Sequence, residues 1–409
     1  MKKNITIIGI NYYPEDSAIG LYTTQKAEYL VSEGYNVSVI TGFPYYPQWE
    51  INSEYQSKKK FYKENINGIT VYRYKQYVPQ KPTFFKRIVH LLDFSFGTFI
   101  NIFKIKETDV VLCIVPFIGS VLLGKILSKR KSAKLWVHIQ DFEFDAATDS
   151  NIIENKKGKT LFFKLLFWVE KKILNSADFV SSISASMVLK LENKIKPFKK
   201  RGLLPNWVDL DFINPDNYKE HKYLKSKKFK ILYSGNIGEK QDWAFFLKFV
   251  IELEKEEGIE IIVVGDGSKR EWLQKEIKNI KNISIHNPVA YKELPDLLCC
   301  ADLHILFQKN NVIDTVMPSK ILGMMASQKP SLITGNLKSE VLSIINKSKG
   351  GEYFNSENIS ATLNFVKTLK KNKTLRNEYG ENARNYISLN FSKEKVLDQF
   401  NASFIDLVK

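Results

Sequence analysis

The stretch from Ile231 to Trp243, ILYSGNIGEKQDW, has the residue types needed to hold a phosphate group. A β-type apolar run (Ile231, Leu232, Tyr233) stops at Ser234-Gly235-Asn236-Ile237-Gly238, and a helix-like segment with Trp243, Phe245 and Phe246 follows. Gly235 and Gly238, set between a strand and a helix, allow backbone N–H groups to converge on an anion. The helix N-terminus contributes partial positive charge, and Lys240 adds a full cation. A tight turn would use the same glycines. A second motif, Val316-Met317-Pro318-Ser319-Lys320 followed by ILGMMASQKP, weighs towards a phosphate or diphosphate. Pro318 suits a first helical turn, and Ser319 and Lys320 offer a hydroxyl, a helix-start N–H and a cation. A capped surface helix explains the same letters, but Lys320 stands at a strand-to-helix edge in the same half of the chain as the first loop.

Two further strand ends join these motifs. Val263-Val264-Gly265-Asp266-Gly267-Ser268 allows close backbone approach to a ligand at Gly267, and a plain turn fits equally. His286-Asn287-Pro288-Val289 offers backbone at Val289 on which a flat base can rest, or is simply the end of a strand. In the first half, NYYPEDSAIG connects the first strand to the first helix, and Gly20 permits close approach of a phosphate or sugar. The run Val137–Asp145, VHIQDFEFD, crowds His138, Asp141, Glu143 and Asp145 at the end of an inner strand. Polar groups concentrated there are costly unless used or paired. His138 can donate to a sugar hydroxyl or act as an acid/base, or be structural. The three carboxylates can bind acceptor hydroxyls; metal ligation has no matching ligand set. His138 and Lys240 are the candidate catalytic residues.

The elements that position these residues alternate. Strands are expected near 4–10, 36–41, 69–74, 109–115, 134–140, 178–183 and 201–205. After a break they are expected near 229–234, 259–264, 283–287, 302–307, 330–334 and 351–354, with helical stretches between. Alternating short apolar strands and helices imply parallel sheets covered on both faces. Asn206–Lys228, with Pro215 and clustered charge, reads as a linker. The expectation is an α/β protein of two doubly wound Rossmann-like domains, 1–205 and 206–390, facing each other across a cleft. A C-terminal helix over about 391–409 (Val396, Phe400, Phe404, Leu407) packs back on the first. Ligands bind beyond the C-terminal strand ends in such sheets.

Composition narrows the class. The 409 residues are 44% hydrophobic and 26% charged, those of a globular protein. Cys113, Cys299 and Cys300 form neither a disulfide framework nor a metal motif, which fits a reducing cytoplasm, and the five histidines lack metal spacing. No structural metal and no cofactor are expected. The apolar N-terminal run is short, β-branched and without a cleavage site, so it reads as a strand rather than a signal peptide. No run of about 18 apolar residues predicts a membrane span. The net charge of +17 is uneven: residues 1–205 hold 31 Lys and Arg against 18 Asp and Glu, or +13. A basic half suggests a polyanion or an anionic membrane, although lysine outnumbers arginine throughout and a lysine-rich background contributes. Lys81–Phe103 and Lys156–Lys172 mix basic and aromatic residues in the manner of interfacial helices. Core-facing helices with solvated lysines give the same pattern.

NYYPEDSAIGLYT, ITGFPYYP, HIQDFEFDAA, LPNWVD, YSGNIGEKQ and MPSKILGMMASQKP together resemble the GT-B glycosyltransferases of family 4. The resemblance covers essentially the whole chain. It is greatest to the subgroup building colanic acid, capsule and O-antigen units, which includes fucosyl- and N-acetyl-L-fucosaminyltransferases. It implies a UDP- or GDP-sugar held mainly by the second domain, an acceptor in the first, and transfer with retention and without metal. By that analogy Asn236, Gly238 and Lys240 lie near the diphosphate, Gly267, Val289, Ser319 and Lys320 near the nucleotide, and Gly20 and His138 near the sugar. Two positions depart from the family pattern. Asn236 stands where arginine is usual, and Thr315 and Gly323 replace the two acidic residues of which the later binds the ribose. The function this implies is a cytoplasmic hexosyltransferase, peripheral on the inner face of the membrane, that extends a polyprenyl-diphosphate-linked saccharide. A nucleotide-sugar epimerase of the same fold and a basic nucleic-acid-binding protein are the rivals. The Pro-Ser-Lys motif weighs against the first, and the lack of any nucleic-acid-binding motif against the second.

Overall fold

Runs such as VVLCIV and IEIIVV are apolar on both faces, which suits strands buried between layers of helices. They fold so in the computed structural model, which describes residues 2–16, 18–116, 118–141, 157–197, 199–312 and 319–409. The chain divides into two units, Met1–Pro205 with Leu397–Lys409, and Asn206–Val396.

The first unit contains β1 (Asn4–Ile8), α1 (Ala18–Ser32), β2 (Asn36–Gly42), α2 (Ser53–Gln56), β3 (Phe61–Ile66), β4 (Ile69–Tyr74), α3 (Phe84–Ile102), β5 (Val110–Val115), α4 (Ile118–Lys131), β6 (Lys134–Ile139), α5 (Lys157–Leu174), β7 (Phe179–Ser182), α6 (Ala185–Glu192) and β8 (Lys200–Leu203). Its sheet runs β3-β4-β2-β1-β5-β6-β7-β8, with Ile5 opposite Val37 on one side of β1 and Val110 on the other. The order reverses between β1 and β5, and that is where an open α/β sheet leaves a crevice. One strand differs from the expected parallel sheet. β3 is antiparallel to β4, joined through Asn67 (φ 51°) and Gly68 (φ 82°), the positive-φ pair of a two-residue hairpin turn.

The second unit contains β9 (Phe229–Ser234), α7 (Trp243–Glu254), β10 (Ile259–Val264), α8 (Arg270–Glu276), β11 (Ile283–His286), α9 (Leu294–Cys299), β12 (Leu303–Phe307), α10 (Ser319–Ala326), β13 (Ser331–Thr334), α11 (Glu340–Ser348), β14 (Gly351–Phe354), α12 (Ile359–Lys371) and α13 (Lys373–Phe391). Its strands pair in parallel in the order β11-β10-β9-β12-β13-β14, reversing between β9 and β12. Residues 206–228 form no helix or strand. They are not a free tether, however, because Val208, Ile213 and Leu224 are buried in the core of this unit. Among the described residues no helix is long and apolar enough to cross a membrane.

The last helix, α14 (Lys393–Val408), closes the first unit from the far end of the sequence. Phe400, Phe404 and Leu407 join Ile7, Val39, Leu112 and Trp136 in one core, and Phe400 stacks on Trp136 with ring centroids 4.5 Å apart. Removing a buried phenylalanine ring loses its transfer free energy and leaves a cavity. Phe400→Ala is therefore expected to destabilise the first unit by about 3–5 kcal/mol. Urea unfolding followed by tryptophan fluorescence measures this, with the second unit's midpoint unchanged.

Candidate active site

The loop after β9 lies at the reversal point of the second sheet and is fastened there by backbone hydrogen bonds on both sides. Asp242 N–H donates to the carbonyl of Phe307 at the end of β12, and Lys309 N–H to the carbonyl of Lys240. Towards β10, Gly235 N–H donates to Val264 O and Ile237 N–H to Asp266 O. Gly235 (φ 138°) and Gly267 (φ 153°) both hold backbone conformations that side chains disfavour. A Cβ on Gly267 would lie 2.4 Å from the Ile237 carbonyl oxygen and 2.5 Å from Asn236 Oδ1. Lys320 reaches into this cluster from α10. Its Nζ lies 3.1 Å from where a Cβ of Gly235 would stand, donates to the Tyr233 hydroxyl at 3.2 Å, and sits 4.7 Å from that ring's centroid. Tyr233 in turn donates to the Asn236 carbonyl at 2.6 Å. Gly235, Asn236, Gly267 and Lys320 thus meet in one place.

The source of positive charge differs from the expectation. The N–H groups of Gly235, Ile237 and Gly238 do not converge on an open site. The first two bond to the β10 end, and the third to Gln241 Oε1 at 3.1 Å. The start of α7 is also occupied, since Asp242 caps it by accepting from Phe245 N–H at 3.0 Å. Lysines take over. Lys240 is exposed in the loop, Lys320 is half-buried, and Lys269 and Lys309 flank the loop, pairing with Glu239 at 3.0 and 3.8 Å. Beyond β11, Val289 is half-buried against the core, and Asn287 accepts from Arg270 at 2.5 Å. Gly323 faces apolar carbon, its Cβ position lying 3.1 Å from Leu298 Cδ1 and 3.6 Å from Ile213 Cδ1. Pro318 and Thr315 lie outside the described residues, as does the side chain of Ser319.

In the first unit two expectations need correction. His138 is completely buried on β6; its Nδ1 bonds Ser181 Oγ at 2.9 Å and its Nε2 the Gln140 amide at 3.1 Å. Burial, helped by the Lys26 ammonium, holds its pKa well below the usual histidine value. Both ring nitrogens are engaged within the protein, so the imidazole is a neutral structural group rather than a catalytic one. Gly20 is buried, and its missing side chain makes room for protein rather than ligand. A Cβ there would lie 2.7 Å from Glu15 Cβ and 3.0 Å from the Glu15 carbonyl oxygen. Asp141 is exposed at the end of β6; Glu143 and Asp145 lie outside the described residues.

The residues that sequence reasoning missed are buried and polar. Tyr233 reads as a core aromatic, yet its hydroxyl holds both Lys320 and the loop. Arg73, with no side-chain exposure, pairs with Glu64 and donates to the carbonyls of Gly42 (3.1 Å) and Tyr13 (2.5 Å), tying the β1–α1 loop to the end of β2. Among the described residues no group of three or more His, Cys, Asp or Glu could hold a metal ion.

Comparison with known proteins returns one family for each half. Residues 17–207 match the glycosyl transferase 4-like domain and residues 215–386 the glycosyl transferases group 1 model. A putative colanic acid biosynthesis glycosyl transferase, WcaI of Escherichia coli K12, is 31% identical over 97% of this chain and 98% of its own. An uncharacterized glycosyltransferase of Methanocaldococcus jannaschii is 25% identical over the whole of both. Among solved structures, sucrose-phosphate synthase of Thermosynechococcus elongatus superposes with TM-score 0.72 at 14% identity, over 99% of each chain. Anabaena HepE in complex with UDP-glucose gives 0.66 at 12%, over 98% and 99%. These likenesses establish the fold.

Buried histidines make the fold acid-sensitive. His138 is depressed as described, and burial lowers His304 to about 3. The unfolded chain takes up protons at these histidines below pH about 6.5 while the native protein does not. Stability is therefore complete above that pH and falls as pH drops towards the native pKa values. Each histidine contributes about 1.4 kcal/mol per pH unit. His138→Gln and His304→Gln should each flatten the slope of unfolding free energy between pH 6 and pH 4.5, read from urea titrations at several pH values.

Proposed function

Because the chain belongs to the glycosyltransferases that join a 4-like domain to a group 1 domain, we propose that it moves a sugar from a nucleotide-diphosphate donor to a polyprenyl-diphosphate-linked saccharide, building a surface polysaccharide of the exopolysaccharide, capsule or O-antigen kind. The observation that carries this reading is the cluster of Lys320, Tyr233, Gly235, Asn236 and Gly267 at the reversal point of the second sheet. The colanic acid name of the Escherichia coli relative supports the polysaccharide, and the UDP-glucose bound to HepE supports the donor class.

In the reaction proposed, the bond between the anomeric carbon and the diphosphate oxygen breaks while an acceptor hydroxyl bonds to the same face of that carbon, so configuration is retained. The hydroxyl proton passes to a diphosphate oxygen of the leaving group. No protein base is assigned, which agrees with the burial of His138. Charge builds on the leaving diphosphate, and preorganised cations stabilise it. Lys320, fixed by Tyr233, and Lys240 supply them. Glu239 holds Lys269 and Lys309, and a diphosphate would compete with that carboxylate for both. With four lysines available the reaction is proposed to need no metal. Ribose is recognised by something other than residue 323, where glycine faces Leu298 and Ile213.

Attachment to the inner face of the cytoplasmic membrane belongs to the same proposal. On α3 and at its C-cap the side chains of Val89, Leu92, Phe96, Phe99, Ile100 and Phe103 are all exposed, Phe96 to 77%. Their spacing of three and four residues makes one continuous apolar stripe. Lys86 is exposed at its margin, and Arg130 of α4 stands 4.5 Å from the centroid of Phe103. An apolar stripe with basic flanks suits an anionic bilayer surface.

The purified protein in EDTA, offered UDP- and GDP-sugars (6-deoxy sugars included) and a short-chain polyprenyl-diphosphate sugar, is expected to extend the lipid from one donor, read by mass spectrometry. Lys320→Ala should lower kcat/KM by about 100- to 1,000-fold. If UDP or GDP raises the melting temperature but no donor gives product, the acceptor is wrong. If neither nucleotide binds, the transferase reading falls. In a separate vesicle-sedimentation assay, Phe96→Asp is expected to reduce binding to phosphatidylglycerol-containing vesicles about tenfold, with binding weakening as salt rises.

A further inference from the structure

A pocket of about 450 Å³ opens in the first unit between the β1–α1 loop and the segment joining β2 to α2. That volume is within the range of small-molecule sites, about 300–1,000 Å³. The pocket is built, not a gap between mobile tips. Glu15, 5% exposed, forms part of its lining. Its Oε1 accepts the N–H groups of Tyr45 (2.8 Å) and Tyr46 (2.9 Å), and its Oε2 accepts from Asn11 (2.8 Å). Burial nevertheless raises the Glu15 pKa. Gly20 leaves room for this carboxylate, and Arg73 anchors the Tyr13 carbonyl beside it.

The lining selects by chemistry. It contains the carboxylates of Glu15, Asp16 and Glu50, the Gln48 amide and the Tyr46 ring, and, among the described residues, no lysine or arginine. That is unusual in a stretch, residues 1–205, whose net charge is +13. A phosphate or other anion would meet three carboxylates here and no cation. A metal ion would find no set of three or more ligating carboxylates close enough to hold it among the described residues. An uncharged polyhydroxyl ligand fits. Its hydroxyls donate to the carboxylates and exchange hydrogen bonds with the amide, while the C–H face of a pyranose ring rests on the half-exposed Tyr46 ring and on the neighbouring prolines 14 and 44.

We propose that this pocket binds an uncharged sugar ring of the acceptor saccharide, with Glu50 and Gln48 as hydroxyl partners and Tyr46 as the stacking surface. The proposal deepens the function given above and rests on it. It moves acceptor recognition from Asp141, Glu143 and Asp145 to the loops after β1 and β2.

The test uses the full chain labelled with 3-fluorotyrosine, Tyr46→Phe identifying the Tyr46 fluorine signal. Methyl α-L-fucoside, methyl β-D-galactoside and methyl β-D-glucoside are titrated separately, with inorganic phosphate as the anionic probe. At least one glycoside is expected to shift the Tyr46 signal saturably, with a Kd on the order of 1–10 mM, while phosphate does not. Glu50→Ala, on an exposed rim residue, should weaken that binding about tenfold. The assignment is overturned if no glycoside moves the signal at about 100 mM, if phosphate moves it as well as the glycosides do, or if Glu50→Ala and Gln48→Ala leave the titration unchanged. The melting temperature of the parent protein with UDP and GDP separates the two failures. Stabilisation by a nucleotide without glycoside binding removes the pocket and leaves the transferase. Glycoside binding without stabilisation by either nucleotide removes the transferase reading, and with it the word acceptor.

Discussion

The Gly235 carbonyl oxygen lies where a side chain on residue 265 would begin, only 1.9 Å from that Cβ position. The ends of β9 and β10 therefore cross in contact, and the geometry of the second unit's candidate site follows. With no side chain at 265 or 267 the two loops interlock, and Ile237 N–H and Asp266 O bond across the crossing. The interlock uses the N–H groups of Gly235 and Ile237, and Gln241 takes that of Gly238, so none of the three is free to face an anion.

Charge must then come from side chains, and flexible ammonium groups need fixing to act as a preorganised site. Tyr233 provides this for Lys320 through its hydroxyl and its ring face, and the same hydroxyl holds the loop at Asn236. Burial pushes the Tyr233 phenol far up, so it stays a neutral donor whose proton is directed at the loop carbonyl. Glu239 gathers Lys269 and Lys309 in a more exposed way, at distances and exposures where an ion pair is worth little. In the proposed reaction a diphosphate would displace that carboxylate readily, whereas the Lys320 arrangement would persist. Asn236 carries no charge, so Lys240 is the loop's own cation, and Lys269 and Lys309 stand on either side of it.

The first unit follows the opposite rule at the ends of β1 and β2. Arg73 is wholly buried, and it is satisfied by Glu64 and two carbonyls rather than presented to a ligand. A buried arginine without these partners would be strongly destabilising, so the β1–α1 loop, the end of β2 and the β3–β4 hairpin are bound into one arrangement. With the cation consumed internally, what remains facing the pocket is carboxylate, amide and aromatic ring. A net charge of +13 over residues 1–205 therefore does not describe this part of the surface.

The short apolar runs and glycine breaks made the parallel strands of both sheets legible, because β5, β10 and β12 are buried on both faces and carry that burial as nearly unbroken Val, Ile and Leu. β3 was missed because FYKENI, an edge strand with Lys63, Glu64 and Asn65 at its centre, lacks such a run, although Asn67-Gly68 was a hairpin signal in plain view. The site was legible as a set of positions and not as a set of contacts. Gly235, Gly267 and Lys320 do converge, but only coordinates reveal that the N–H groups of Gly235, Ile237 and Gly238 are already bonded and that both His138 nitrogens are engaged. A histidine next to carboxylates in sequence looks poised for chemistry. On a strand, however, alternate residues face opposite sides, and the neighbours that decide its role, Ser181 and Gln140, are set by sheet pairing with β7 and by residue 140 pointing back to the same face. Local sequence fixes which residues flank a functional group, whereas strand pairing fixes which atoms touch it, and only the latter distinguishes a catalytic imidazole from a structural one.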